Sequence, residues 1–290
     1  MFEVCLEEGE LFKKIVQAIS DLVTEGNFQV DSEHISFQGM DSSHVSLVSL
    51  TLYKDGFKLY RCDRNIILGI NFNSLNKILK CMDNNSKLML KAQDDGDIIY
   101  IYFENNESNI ISNFELKLME IDNEQLGIPE TNYNINIKLS SVLFNKIIKD
   151  LSLLGDSVTI SVSKLGVKFI VNADIGNGEI HLNGSIKKLK SENDDDTDMK
   201  ESNDNDGDND DDIDAIDDDI IDGDKVLITM NDDASQTFSI KYLVNFCKAT
   251  NLSKTVLLSM DNQVPLMITY KINDLGNIRY YLAPKIDDDE

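Results

Sequence analysis

Only four cysteines and three histidines occur in 290 residues, and their placement excludes most site chemistry. Cys5, Cys62, Cys81 and Cys247 show neither metal-ligand spacing nor a dense disulfide framework, which suits a reducing intracellular compartment and leaves core packing as the role of most of them. Asp41-Ser42-Ser43-His44 contains the residue types of a hydrolase triad, but a triad is built by spatial convergence and not by four neighbours in sequence. A glycine-rich phosphate loop and a dinucleotide fingerprint are both missing. No basic segment precedes an apolar run at the N-terminus, and no apolar stretch approaches membrane-spanning length. The expectation is a soluble, non-enzymatic protein of the cytosol or nucleus with no cofactor and no metal.

What is abundant is negative charge, −25 overall, and it is unevenly spread. Ser191 to Asp224 holds 16 Asp, 2 Glu and 1 Lys, a net of −17, so the remainder carries only −8. Within that run Asp204-Asn205-Asp206-Gly207 resembles part of a calcium loop, but with Gly207 in the sixth place Ser202 and Ile213 fall where carboxylates are required. The run has too few apolar groups and too much like charge to fold, so it is expected to be a mobile loop, dispensable for assembly.

Outside it the chain repeats. Shifting by 132 residues lays Leu11, Phe12, Lys14, Ile15, Val16 and Ile19 on Leu143, Phe144, Lys146, Ile147, Ile148 and Leu151. The alternating pairs Phe28/Val30, Ile35/Phe37 and Val48/Leu50 then fall on Ile160/Val162, Val167/Phe169 and Ile180/Leu182. Further on the shift is 168: Phe72, Leu75, Ile78 and Lys80 meet Ile240, Leu243, Phe246 and Lys248, and Ile98, Ile99 and Tyr102 meet Leu266, Met267 and Tyr270. The jump places about 36 extra residues between Leu182 and Phe238, which is the acidic run inserted into a duplicated domain. A shift of 63 within the first half sets Phe12 and Lys14 on Leu75 and Lys77, so the chain reads as four units of one helix plus short strands. The class is α+β with mainly antiparallel sheet.

Between the halves, Leu118 to Tyr133 contains Gly127 and Pro129, which argue against a helix, and apolar residues that ask for a surface; the segment reads as an extended connector on a domain face. The four helical patterns, roughly Glu10 to Val23, Leu75 to Lys80, Leu143 to Leu151 and Lys241 to Lys248, share a second feature. Lys14, Lys77, Lys80, Lys146, Lys149, Lys241 and Lys248 lie roughly 140 to 200° from the apolar centres, with Asp21 as the acidic exception. In so acidic a protein four basic faces point to phosphate contacts that position without reading sequence, weak and salt-sensitive. At a Debye length of about 8 Å the acidic exterior does not cancel them.

Several longer motifs carry a resemblance: Met40-Asp41-Ser42-Ser43-His44-Val45-Ser46-Leu47-Val48, Tyr60-Arg61-Cys62-Asp63-Arg64-Asn65, Lys77-Ile78-Leu79-Lys80-Cys81, Glu124-Gln125-Leu126-Gly127-Ile128-Pro129-Glu130 and Leu282-Ala283-Pro284-Lys285-Ile286. Across everything but the insert the chain resembles the proliferating cell nuclear antigen family, the eukaryotic DNA sliding clamps. The resemblance implies a DNA-clamp fold: an N-terminal clamp domain at 1–117, a connector at 118–134 and a C-terminal clamp domain at 135–290 that carries the insert at 191–224. It implies a homotrimeric ring around duplex DNA, opened by an ATP-driven clamp loader, which tethers DNA polymerases and other replication and repair clients in the nucleus. It assigns the seven lysines to the channel lining, where Ser20 stands in place of a basic residue common in the family.

The resemblance also places subunit joints on Ile110 to Lys117 and Ile175 to Leu182, with Ile111, Phe114, Ile175 and Ile180 as their apolar part. A pocket for clients bearing a glutamine-hydrophobic-aromatic motif falls on Met40, His44, Val45, Leu47, Leu126, Ile128, Pro265, Tyr281, Ala283 and Pro284. Lys164 occupies the position of a ubiquitin-accepting lysine. Two other readings stay open from sequence: a subunit of a specialised damage-signalling clamp, and an acidic interaction scaffold without a DNA role.

Overall fold

A computed structural model describes residues 1–94, 96–105, 107–122, 127, 131–187, 225–262 and 264–285. The acidic run at 191–224 and the pocket candidates Leu126 and Ile128 lie outside the described residues.

The first half runs β1 (Phe2–Leu6), α1 (Gly9–Ser20), β2 (Glu25–Val30), β3 (His34–Met40), β4 (Ser46–Tyr53), β5 (Leu59–Cys62), β6 (Ile66–Asn71), α2 (Phe72–Leu79), β7 (Lys87–Ala92), β8 (Ile98–Asn105) and β9 (Ile110–Lys117). The second half repeats this as β10 (Ile135–Ser140), α3 (Ser141–Ser152), β11 (Ser157–Ser163), β12 (Gly166–Ala173) and β13 (Gly176–Leu182). After β14 (Ser185–Lys187) it continues through β15 (Leu227–Met230), β16 (Ala234–Ser239), α4 (Ile240–Phe246), β17 (Thr255–Met260), β18 (Leu266–Ile272) and β19 (Gly276–Leu282). Each helix lays its apolar stripe on a sheet: Phe12, Ile15, Val16 and Ile19 of α1 and Phe144, Ile147, Ile148 and Leu151 of α3 are buried. In the first half Phe28 stands 5.9 Å from Phe37 and 5.6 Å from Phe72, edge to face. Burial of each such ring contributes about 1.5–3 kcal/mol.

Side chains also set where helices start. Asn71 accepts from the Ser74 N–H at 2.9 Å ahead of α2, a cap worth about 1 kcal/mol. α1 stops at Ser20 and not at Val23, because the N–H groups of Leu22 and Val23 both converge on the Ile19 carbonyl at 2.9 and 3.0 Å. α4 tightens into a 3-10 segment, Cys247–Leu252, which carries Lys248.

Among the described residues three sheets form, ordered β5-β1-β7-β8-β9, β14-β15-β10-β17-β18-β19-β4-β3-β2-β6 and β13-β12-β11-β16. All pairings are antiparallel except β14 on β15, and β14 has no counterpart in the first half. The pairing of β4 with β19, Leu50 opposite Ile278, welds the two halves.

Strand registers correct the repeat in two places. Phe37 pairs with Leu50 and Phe169 with Ile180, so Ile180 is the counterpart of Leu50 and not of Val48. The cause is the hairpin: Asp41 to Val45 separates β3 from β4, whereas only Asp174 and Ile175 separate β12 from β13. Likewise Leu90 pairs with Ile101 and Leu258 with Ile268, which makes Ile101 the counterpart of Ile268. A shift of 168 would lay half-buried Tyr102 on fully buried Tyr270, turning the wrong face to the core.

The connector lies against the first half as its apolar residues require. The Met119 N–H bonds the Gly69 carbonyl at 2.9 Å, and Asn27 donates its side-chain amide to the Ile121 carbonyl at 3.0 Å. A Cβ on Gly69 would stand 1.9 Å from the Met119 oxygen, so only glycine admits the connector there.

Candidate nucleic-acid interface and client groove

The helices bring three of the seven predicted lysines, Lys80, Lys149 and Lys248, together at one groove. Lys77, Lys80, Lys146, Lys149, Lys241 and Lys248 are exposed and Lys14 is half-buried. An open groove of about 560 Å³ runs where the ends of α1 and α2 meet α3 and the 3-10 segment, and Lys80, Lys149 and Lys248 all border it. Lys77, Lys146, Lys14 and Lys241 stand outside that groove.

The lysines are not electrostatically alike. Lys248 is held by Asp21, and Lys14 pairs with Glu10 at 3.1 Å, an acid that adds to the single exception read from sequence. The Lys241 ammonium lies 5.9 Å from the Tyr242 ring centre. Among the described residues Lys77, Lys80, Lys146 and Lys149 have no carboxylate partner within 4.0 Å, so these four have their charge free for an incoming phosphate. Ser20 does not stand out into the groove as a basic residue would. It is buried, its hydroxyl donates to the Gln17 carbonyl and accepts from the Asn76 amide, both at 3.3 Å, and it ties α1 to α2.

On the opposite face of the ten-stranded sheet the register sets Met40 beside Leu47, Leu47 beside Tyr281 and Tyr281 beside Met267. Met40, Leu47 and Tyr281 are half-buried and Met267 is buried, so the row is an apolar floor. Val45 joins it where its carbonyl accepts from the Ala283 N–H at 3.0 Å, with half-buried Pro284 next along the chain. His44 is exposed at the tip of the β3–β4 turn with φ of 56°. Pro265 is brought in by Tyr133, whose hydroxyl donates to the Pro265 carbonyl at 3.1 Å. Burial pushes the Tyr133 phenol well above its usual range, with Tyr281 adding to the effect. Tyr133 was missed from sequence, although its place as the last aromatic of the connector was a usable signal.

Asp41 builds the turn. Its carboxylate accepts from the N–H groups of Ser43, Val45 and Ser46 at 2.9, 2.9 and 2.6 Å, and from the Tyr242 hydroxyl at 3.0 Å. These residues position a loop; none stands as nucleophile and base.

The two predicted joint strands, β9 and β13, are sheet edges. Ile111 and Ile175 are 69% and 75% exposed, large apolar groups at edges unpaired among the described residues, while Phe114 and Ile180 are half-buried against the core, Phe114 packing on Phe103 at 5.4 Å. Ile175 sits in the turn before β13 and not on the strand itself. Lys164 and Leu165 form the exposed tip of the β11–β12 hairpin.

Comparison with known families agrees with this architecture. The model of the proliferating cell nuclear antigen N-terminal domain matches residues 1–126, and that of its C-terminal domain matches 127–205 and 212–285. The chain belongs to the proliferating cell nuclear antigen family. It is 42% identical to the proliferating cell nuclear antigen of Chaetomium thermophilum over 290 residues, covering both chains completely. As a family member it is a DNA sliding clamp and not an enzyme: a nuclear, homotrimeric ring that encircles duplex DNA, is handled by a clamp loader and holds polymerases and repair clients to their template.

Proposed function

We propose that the clamp closes by joining β9 of one copy to β13 of the next. The observation that carries this is a missing joint. Inside the chain β19 pairs with β4, and their counterparts β9 and β13 are left as open edges, a liability that a head-to-tail contact removes. Joining them fuses the five- and four-stranded sheets into one with the strand order of the ten-stranded sheet without β14. Transferring the register of Val48 on Tyr280 and Leu50 on Ile278 sets Phe114 opposite Gly178 and Ser112 opposite Ile180. Phe114 and Ile180 then face the core side of the joint, while Ile111 and Ile175 cover its outer side at opposite ends.

In the closed ring the four helices of each copy face the duplex. Lys77, Lys80, Lys146 and Lys149 supply free charge; Lys14, Lys241 and Lys248 contribute after exchanging their present partners for phosphate. The contacts permit sliding, and retention is topological. The Met40–Leu47–Tyr281 row with His44, Val45, Pro265, Ala283 and Pro284 receives the client motif beneath the connector, to which Leu126 and Ile128 belong. Residues 1–117 and 135–290 act as the two clamp domains, and Lys164 offers its amine for ubiquitin attachment. Loader-dependent retention on circular but not linear DNA tests the ring. A Lys77→Glu, Lys80→Glu, Lys149→Glu variant is expected to be loaded poorly, and loading at the parent's yield would remove the channel assignment.

A further inference from the structure

The chain has three arginines in a sequence with 52 acids. Two are satisfied: Arg61 bonds Asp63 through Nε and Nη2 at 2.9 and 3.0 Å, and Arg64 meets Asp94 at 2.9 Å. The third is not. Arg279 lies two residues from Tyr281 on β19 and shares its face; it is half-buried, and its Nε is enclosed without a hydrogen-bond partner. Its cross-strand neighbours are Ser49 and Thr269, and the Thr269 hydroxyl is likewise enclosed and unpartnered. Ser49 and its own neighbour Gln38 border an open cavity of about 450 Å³, which Gly127 of the connector also borders.

We infer that Arg279 is a specificity determinant for clients, taking the carboxylate of an Asp or Glu in the client peptide. Three observations select that occupant. The Arg279 row is continuous with the apolar floor, about 7 Å further along the same strands. A half-buried guanidinium with no acid partner among the described residues, its Nε enclosed and unbonded, is poised for one, and its planar fork suits a carboxylate in particular. The cavity beside it, with Gln38, Ser49 and Gly127 on its walls, gives an extended segment room to continue past Gly127. The acid therefore belongs within about four residues of the aromatic anchor, since each extended residue advances roughly 3.3 Å.

This rests on the client-groove reading above. Fluorescence anisotropy with labelled peptides carrying the glutamine-hydrophobic-aromatic motif, and Glu or Gln at each of the flanking positions on both sides, tests it on the intact chain. One Glu position is expected to tighten binding about two- to fivefold over its Gln version. Arg279→Gln should bring the Glu peptide down to the Gln peptide, Arg279→Lys should restore the preference only in part, and Arg279→Glu should reverse it toward a Lys peptide. Binding of all peptides without any Glu preference overturns the inference alone, as does a preference that survives in Arg279→Gln. A lowered melting temperature of Arg279→Gln with no peptide preference would instead assign the guanidinium to the chain's own connector and equally overturn it. Failure of every peptide to bind removes the groove reading first.

Discussion

Tyr242 donates its hydroxyl to Asp41 at 3.0 Å across 201 positions of sequence. The bond runs from α4, the helix proposed to face DNA, to the β3–β4 turn beside the proposed client groove. Tyr242→Phe keeps the ring and deletes the donor, so the turn loses one anchor. A stability loss of about 1–2 kcal/mol is expected for a hydrogen bond to a charged group, together with weaker binding of a motif peptide. Denaturant unfolding and peptide titration of the same variant check it; an unchanged affinity would uncouple helix from groove.

Acid should reveal the same carboxylate. Burial alone would raise the Asp41 pKa, but the N–H groups of Ser46 and Ser43, the Tyr242 hydroxyl and the Val45 N–H outweigh it and hold the group below its ordinary 3.8. A pKa lower in the folded state means that the unfolded chain binds the proton first. The stabilisation is therefore full above the ordinary value and disappears as pH falls through the folded one. Asp41→Asn should be clearly less stable than the parent at pH 7, and the gap should narrow below about pH 4. Urea midpoints of both proteins at pH 7 and pH 3.5 measure this, and a constant gap would contradict it.

The joint can be opened from either side. A Cβ on Gly178 would lie 2.6 Å from the Leu154 Cδ1 and point where Phe114 is placed. Gly178→Val and Phe114→Ala should each convert the trimer to monomer at micromolar concentration while the intrachain β4–β19 weld keeps the monomer folded. Light scattering and circular dichroism together read this; a trimer that persists in both variants would move the joint elsewhere.

Lysines of different pairing should respond differently. Lys80→Gln removes free charge and should lower the yield of loader-dependent loading on circular DNA severalfold, with a reduced salt dependence, since each lost phosphate contact lowers the salt slope by about one. Lys248→Gln first releases Asp21, a surface pair worth only about 0.2–1 kcal/mol, so its effect should be smaller. Equal losses in the two variants would show that the Asp21 pair is irrelevant to the bound state.

The helices and the duplication were open to reading because the physics that sets them is local. Apolar spacing placed all four helices, and α3 repeats α1 at the anticipated shift. Strand alternation survived except where a loop changed length, since a period of two gives no warning of one or two added residues; this is why Val48 and Ile99 were matched to the wrong partners. β14 carries three exposed residues with no periodic signal at all. Ser20 looked like a lost cation because sequence does not reveal that Asn76 reaches it from the next helix. The groove row depends on cross-strand register between residues such as Leu47 and Tyr281, and nothing in the sequence marks Arg279, whose Nε is left unbonded only by the fold.

The connector's hold on Gly69 has a counterpart at the other end of the chain, where the Lys285 N–H bonds the Thr237 carbonyl at 2.7 Å. Gly69 and Thr237 occupy equivalent places on β6 and β16, so the tail leaves the second repeat along the path by which the connector leaves the first. A linker continued from Lys285 would therefore start on the connector's course. A tandem gene fusion that completes that linker to the length of the connector would run from one copy into the next without rerouting the backbone, which makes this fold a natural starting point for single-chain rings whose protomers can be altered one at a time.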